Sequence, residues 1–298
     1  LPGAGQPVPL YRKDVDSMPA AYAHYVFGDR VLSLLPEHLQ VMIGGDPKCR
    51  ELYNLGVQGP DFLYFCRIYI PFNPVISVGI QLHHGSAEPF FLRARKLLQK
   101  EFDPALYSYL LGFMTHFMLD STCHPYILDR MKRAAATHHE IESEFDRMLM
   151  LEDAKNPFTH NPAAYCDTSL DSCRVIARLF PKLTPQQIRE GMRMMKFSRG
   201  LLRANWWPKR VILYNAARLF QVQGMMLTET IRPQCIMSNK ELYRLFRKAV
   251  PETAALMEAY DDLLFTGKPL PERFRRNYET LRKFPPVGKK PAAQAKSE

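Results

Sequence analysis

No apolar run in this 298-residue chain is long enough to cross a bilayer, because Lys, Arg, Asp or Glu interrupts every candidate. Cysteine is sparse: the six residues form no CxxC pair and lack the density of a disulfide scaffold, so free thiols of a reducing compartment are the expectation. Strand-like alternation is missing, as is any repeat at a fixed period. The segment 1–16 is Pro/Gly-rich and then charged, without the continuous apolar core of a signal peptide, and a cytoplasmic location is expected on that ground. Secretion stays open, because a chain that opens on Leu1 leaves its native start unsettled; Met18, just ahead of the first well-patterned segment, is the expected start. An aromatic-interleaved basic motif for nucleic acid is also lacking.

What is present is helical periodicity almost throughout, and the expected fold class is all-α. One helix is expected from a Ser17 cap through Tyr22, Val26 and Val31 to near Pro36, and a short one from His38 to Ile43, broken by Gly44-Gly45-Asp46-Pro47. The Pro/Asn-rich stretch 71–74 reads as the start of a loop running to His83-His84-Gly85. Asp103-Pro104 reads as a cap and first turn. Thr184-x-x-Gln187 and Ser238-x-x-Glu241 read as capping boxes. Trp206 and Trp207 are expected to pack between helices. The expected organisation is a leader (1–17), one helical domain (18–283) with supporting helices over 168–281, and a disordered tail (284–298). Against 30 Asp and Glu the chain carries 40 Lys and Arg, and the resulting +10 favours anionic partners such as phosphoesters, nucleic acids or acidic lipid surfaces.

The stretch from Gly112 to Pro125 organises the rest. His116, Asp120 and His124 are four residues apart, so on a helix they form one stripe, flanked by Phe113, Met114, Phe117 and Met118. Clustering three buried ionisable groups costs several kcal/mol of desolvation unless a cation compensates, which favours a metal site over a polar core. His138 and Glu142 form a second i, i+4 pair. Asp61 follows a Gly-Pro turn, His24 lies on the first helix, and His83 or His84 sits at a loop-to-helix junction; His83 is taken as the ligand. These eight N/O donors, His24, Asp61, His83, His116, Asp120, His124, His138 and Glu142, are too many for one tetrahedral site. Imidazole with carboxylate suits zinc, and a bridging Asp would let eight donors serve three ions of the kind that hydrolyse phosphoesters. Cys123 points about 100° away from His124 and is left out.

The order His24, Gly59-Pro60-Asp61, His83, His116-x3-Asp120-x3-His124-Pro125 and His138-x2-Ile141-Glu142 resembles the bacterial zinc-dependent phospholipase C family, related in fold to single-strand-specific zinc nucleases. The resemblance covers about Ala20 to Leu151 and extends more loosely to Tyr278. It implies an all-helical zinc phosphodiesterase with two to three zinc ions. Asp61, His83, His116 and Asp120 would hold one ion, His124, His138 and Glu142 a second, and His24 and Asp120 a third. The N-terminal Trp that completes the third site in secreted members has no counterpart at Leu1. Asp61, with a second oxygen to face the attacking water, is the candidate general base, and the expected partner is a phospholipid or another phosphodiester, with peripheral contact to anionic membrane; no protein partner is implied. The alternatives are a nuclease or nucleotidase acting on nucleic acid, and a non-catalytic metal-stabilised helical protein that binds through its basic surface.

Overall fold

A computed structural model of the chain describes residues 21–67, 70, 73–133, 136–203, 206–219 and 223–286. The expected cap at Ser17, the start at Met18, the leader and most of the tail lie outside these residues. Among the described residues there are eleven α-helices and four short 3-10 segments, and no strand. The helices are α1 (Ala21–Leu32), α2 (Glu37–Gly45), α3 (Pro47–Gly56), α4 (Pro74–His84), α5 (Glu88–Lys100) and α6 (Pro104–Arg133). They continue with α7 (His138–Glu152), α8 (Leu170–Ala177), α9 (Pro185–Leu201), α10 (Trp207–Leu219) and α11 (Ile236–Leu263).

Helix α6 is the axis of the fold. Asp103 caps it by accepting the N–H of Ala105, and every residue from Leu106 through Ser121 is buried. A helix apolar all round has to be surrounded. Helices α1, α3 and α11 pack on it, and α7 crosses α1 and α11. The approach of α3 depends on two glycines: a Cβ on Gly56 would stand 2.2 Å from the Tyr109 carbonyl oxygen, and one on Gly112 would stand 2.1 Å from the Tyr53 carbonyl oxygen. Only backbone against backbone fits at this crossing.

Four sequence expectations are corrected. Residues 74–84 are helical, because Asn73 accepts the Val75 N–H and Pro74 occupies the first turn, the same start signal as Asp103-Pro104. Asp46-Pro47 likewise starts a further helix, α3, instead of merely ending α2. Ser238 is not a cap: the 3-10 turn Pro233–Cys235 already leads into α11 at Ile236, which puts Ser238 inside the helix. Trp206 and Trp207 do not pack between helices but lie exposed. The Thr184/Gln187 capping box forms as expected, and a second one forms at Thr137/Glu140 to open α7.

Candidate metal centre

The fold brings all eight expected donors together. His24 comes from α1, Asp61 from the start of the 3-10 segment Asp61–Phe65, His83 from the last turn of α4, His116, Asp120 and His124 from α6, and His138 and Glu142 from α7. All are buried, the most open being His138 at 8%. Gly59 seats the Asp61 turn against the α6 stripe. Its φ is +54°, and a Cβ there would meet the His116 ring at 2.1 Å, so the position requires glycine twice over.

The donor atoms fall into three groups, His24/His116/Asp120, Asp61/His83/His116 and His124/His138/Glu142. Asp120 joins them. Its Oδ1 lies 3.2 Å from His24 Nε2 and 3.8 Å from His124 Nε2, while its Oδ2 lies 3.1 Å from His116 Nε2 and 3.9 Å from His83 Nε2. Asp61 Oδ1 stands 3.2 Å from His83 Nε2, and Glu142 Oε1 stands 2.8 Å from His138 Nε2. Both Asp61 oxygens, both His116 ring nitrogens, Asp120 Oδ2 and Glu142 Oε2 are buried without a hydrogen-bond partner. Native interiors rarely tolerate such a concentration of orphaned polar atoms. Divalent cations among these nitrogens and oxygens would satisfy them, and the donor set suits zinc.

The surroundings orient the imidazoles. His83 Nδ1 donates to the Gly79 carbonyl at 2.9 Å, with Tyr64 Oη 3.0 Å from the same nitrogen, and His124 Nδ1 donates to the Tyr278 carbonyl at 3.1 Å. Each bond leaves Nε2 as the nitrogen that faces the other donors. Tyr278 also donates its N–H to the His83 carbonyl at 3.1 Å, so the backbone of one residue fastens donors on two helices. Burial opposes charge on Asp120, but His116, His124 and His24 outweigh it and hold the carboxyl well below the usual range. Burial likewise opposes protonation of His124, and the Asp120 and Glu142 carboxylates overcome it, raising the imidazole.

His84 is not among the converging donors: its ring is half exposed and pairs with Glu279 at 3.1 Å. Cys123 stays outside the groups as well. Sequence reasoning missed Asp146, whose carboxylate accepts the N–H groups of Ala23 and Tyr22 at 2.8 and 3.1 Å and thereby holds the α1 turn that carries His24. Burial pushes its carboxyl up to about 6 against the pull of those two bonds. The signal was available, because His138, Glu142 and Asp146 repeat the four-residue spacing of His116, Asp120 and His124. Tyr278 gave no such signal, since it acts through its backbone.

An all-helical scaffold around buried imidazole and carboxylate groups that His116 and Asp120 link defines the class of helical proteins with a candidate multi-ligand metal centre. Within that class the chain belongs to the zinc-dependent phospholipase C family, whose sequence model matches residues 23–186 and so takes in all eight donors. No curated protein and no solved structure matches the chain.

Proposed function

We propose that the protein is a zinc-dependent phosphodiesterase that cleaves the glycerol-side bond of a phospholipid, releasing diacylglycerol and a phosphorylated head group. The observation that carries the reading is that Asp120 approaches a member of each of the three donor groups, with the Asp61 carboxylate buried and without a hydrogen-bond partner. A single structural ion would use only one closed group. Asp61, His83, His116 and Asp120 are assigned to one ion and His124, His138 and Glu142 to a second. His24 and Asp120 supply part of a third set, so we assign two to three ions per chain. Zinc held there would lower the pKa of a water and offset charge on the phosphate oxygens.

The chain's own residues do the rest. Asp61 has two oxygens and a single near neighbour set on the His83 and His116 side, so one oxygen can ligate while the other accepts the proton of the attacking water as general base. Asp120 keeps the donor groups in register, and Asp146 holds α1 so that His24 faces them. Burial of the whole set excludes competing water and strengthens each charge interaction.

The test is hydrolysis of phosphatidylcholine, single-stranded DNA and a chromogenic phosphodiester by zinc-loaded protein, beside Asp61→Asn and His124→Ala. Lipid cleavage that each variant lowers by at least about a hundredfold is expected. Equal inactivity of wild type and variants on all three substrates would remove the enzymatic reading, and cleavage of DNA alone would replace the lipase with the nuclease.

A further inference from the structure

Helix α10 has a composition and exposure that the metal centre does not explain. It contains thirteen residues, and Ala217 is its one buried residue. Trp206 just ahead of it is 65% exposed, and within it Trp207, Ile212 and Leu219 are 72%, 67% and 84% exposed. Phe197 and Leu201, near the end of α9, are exposed as well. An isolated helix of this length is marginal in water, and large aliphatic and aromatic side chains gain nothing from facing it. The basic residues that look evenly scattered along the chain are unbalanced here: from Gly191 to Thr228 there are seven Lys and Arg and not one Asp or Glu.

We propose that α10, with Trp206 and the end of α9, seats the protein on the surface of a bilayer containing anionic phospholipid. The proposal rests on the lipid reading above and adds the surface that delivers the substrate. Its place in the fold fits: α10 packs on the 3-10 segment Gln223–Met225, whose Gly224 carbonyl accepts the Ser143 hydroxyl of α7 at 2.7 Å. Met225 lines a cleft together with Glu142, Asp146, Arg199 and Leu202, so the segment on which the exposed helix packs also lines an opening that reaches a metal-centre residue. The helix also lies beyond the residues that the family's sequence model matches.

Charge and side-chain type select the occupant. Trp with aliphatic residues beside Lys and Arg is the composition of interfacial helices, with the rings at head-group depth and the cations toward anionic lipid. Single-stranded nucleic acid would use the basic and aromatic groups but not Ile212 and Leu219. A second copy of the chain would bring like charges face to face across a symmetric contact. Residues 1–20 carry Arg12 and Lys13 against Asp14 and Asp16, and so offer no complementary charge.

The chain has two tryptophans in all, Trp206 and Trp207, so its intrinsic tryptophan fluorescence reports this surface alone. The experiment titrates full-length zinc-loaded protein with vesicles of phosphatidylcholine and with vesicles of phosphatidylcholine and phosphatidylglycerol in equal parts, following sedimentation and emission together. The expected result is co-sedimentation with the mixed vesicles, a blue shift of emission, quenching by bromine-labelled acyl chains, and weakening by salt. Lys209→Gln with Arg218→Gln should weaken binding roughly twenty-five-fold, at roughly fivefold per basic residue near an anionic surface. Ile212→Glu should abolish the blue shift, with an unchanged thermal transition as the control for folding.

Sedimentation without a change in emission, no binding to either vesicle, or a blue shift that grows with protein concentration in the absence of lipid would each overturn the proposal. So would emission that responds to single-stranded DNA and not to vesicles, or emission already blue-shifted in the protein alone. Wild-type hydrolysis of a water-soluble phosphodiester separates the two readings. Cleavage without vesicle binding removes the docking surface and keeps the enzyme, and vesicle binding without cleavage of any diester does the reverse.

Discussion

Asp120→Asn tests the central feature of the metal centre. The substitution keeps the size of the side chain and one oxygen, but replaces the other oxygen with a nitrogen that cannot ligate. In the native chain one oxygen faces His24 and His124 at 3.2 and 3.8 Å and the other faces His116 and His83 at 3.1 and 3.9 Å, so no orientation of an amide serves both sides. The change also removes one of three carboxylate charges, the others being Asp61 and Glu142. Removing one partner from a buried charge cluster costs about 3–5 kcal/mol, which at about 1.4 kcal/mol per decade corresponds to roughly a hundred- to a few-thousand-fold weaker binding. His138→Gln is the comparison, because His138 belongs to the His124/His138/Glu142 group alone. Elemental analysis for zinc after equilibrium dialysis should find less metal in Asp120→Asn than in His138→Gln. Retention of the wild-type zinc content, or a loss no greater than that of His138→Gln, would refute the idea that one aspartate joins the groups.

Three further outcomes are expected. Gly59→Ala forces a left-handed backbone on a residue with a Cβ and drives that atom into the His116 ring, so it should cost at least about 1–3 kcal/mol from the backbone alone and lower zinc content, as read by urea denaturation and elemental analysis. His83→Ala should lose zinc and His84→Ala should retain it, measured in the same dialysis; loss in His84→Ala with retention in His83→Ala would exchange their roles. In metal-stripped protein, Asp146 has a folded pKa raised from 3.8 to about 6, so the folded state binds the proton more tightly. Its contribution to stability is therefore fully present below the unfolded value and is lost as the pH rises through about 6. Relative to Asp146→Asn, wild type should lose roughly 1 kcal/mol between about pH 5 and 7, by urea denaturation; a gain over that interval would reverse the assignment.

The donors that could be read from the sequence were those whose geometry is set by the helix itself. His116, Asp120 and His124 share a face because of the helical period, whatever packs against them, and the same holds for His138 and Glu142. The choice between His83 and His84 was hidden by the Asn73-Pro74 start, which resembles loop composition until its cap is seen. Ser238 misled for a related reason: a hydroxyl with Glu three residues on is a local pattern, and the turn at Pro233–Cys235 had already started the helix. Exposure of Trp206 and Trp207 is a tertiary property that no local pattern encodes. Asp146 was readable from its spacing but not from its task, because accepting two α1 N–H groups joins segments more than a hundred residues apart.

Tyr278 gives the centre an order of assembly. Every proposed ligand has left the ribosome once Glu142 has, yet the residue whose backbone ties His83 to His124 follows far later in the chain. At about 5–20 residues per second, that interval lasts on the order of ten seconds. Through it, the nascent chain carries all eight donors without the backbone tie that fastens His83 and His124 to one another. Tyr278 closes that period, so the centre is fastened only when nearly the whole helical domain has been made.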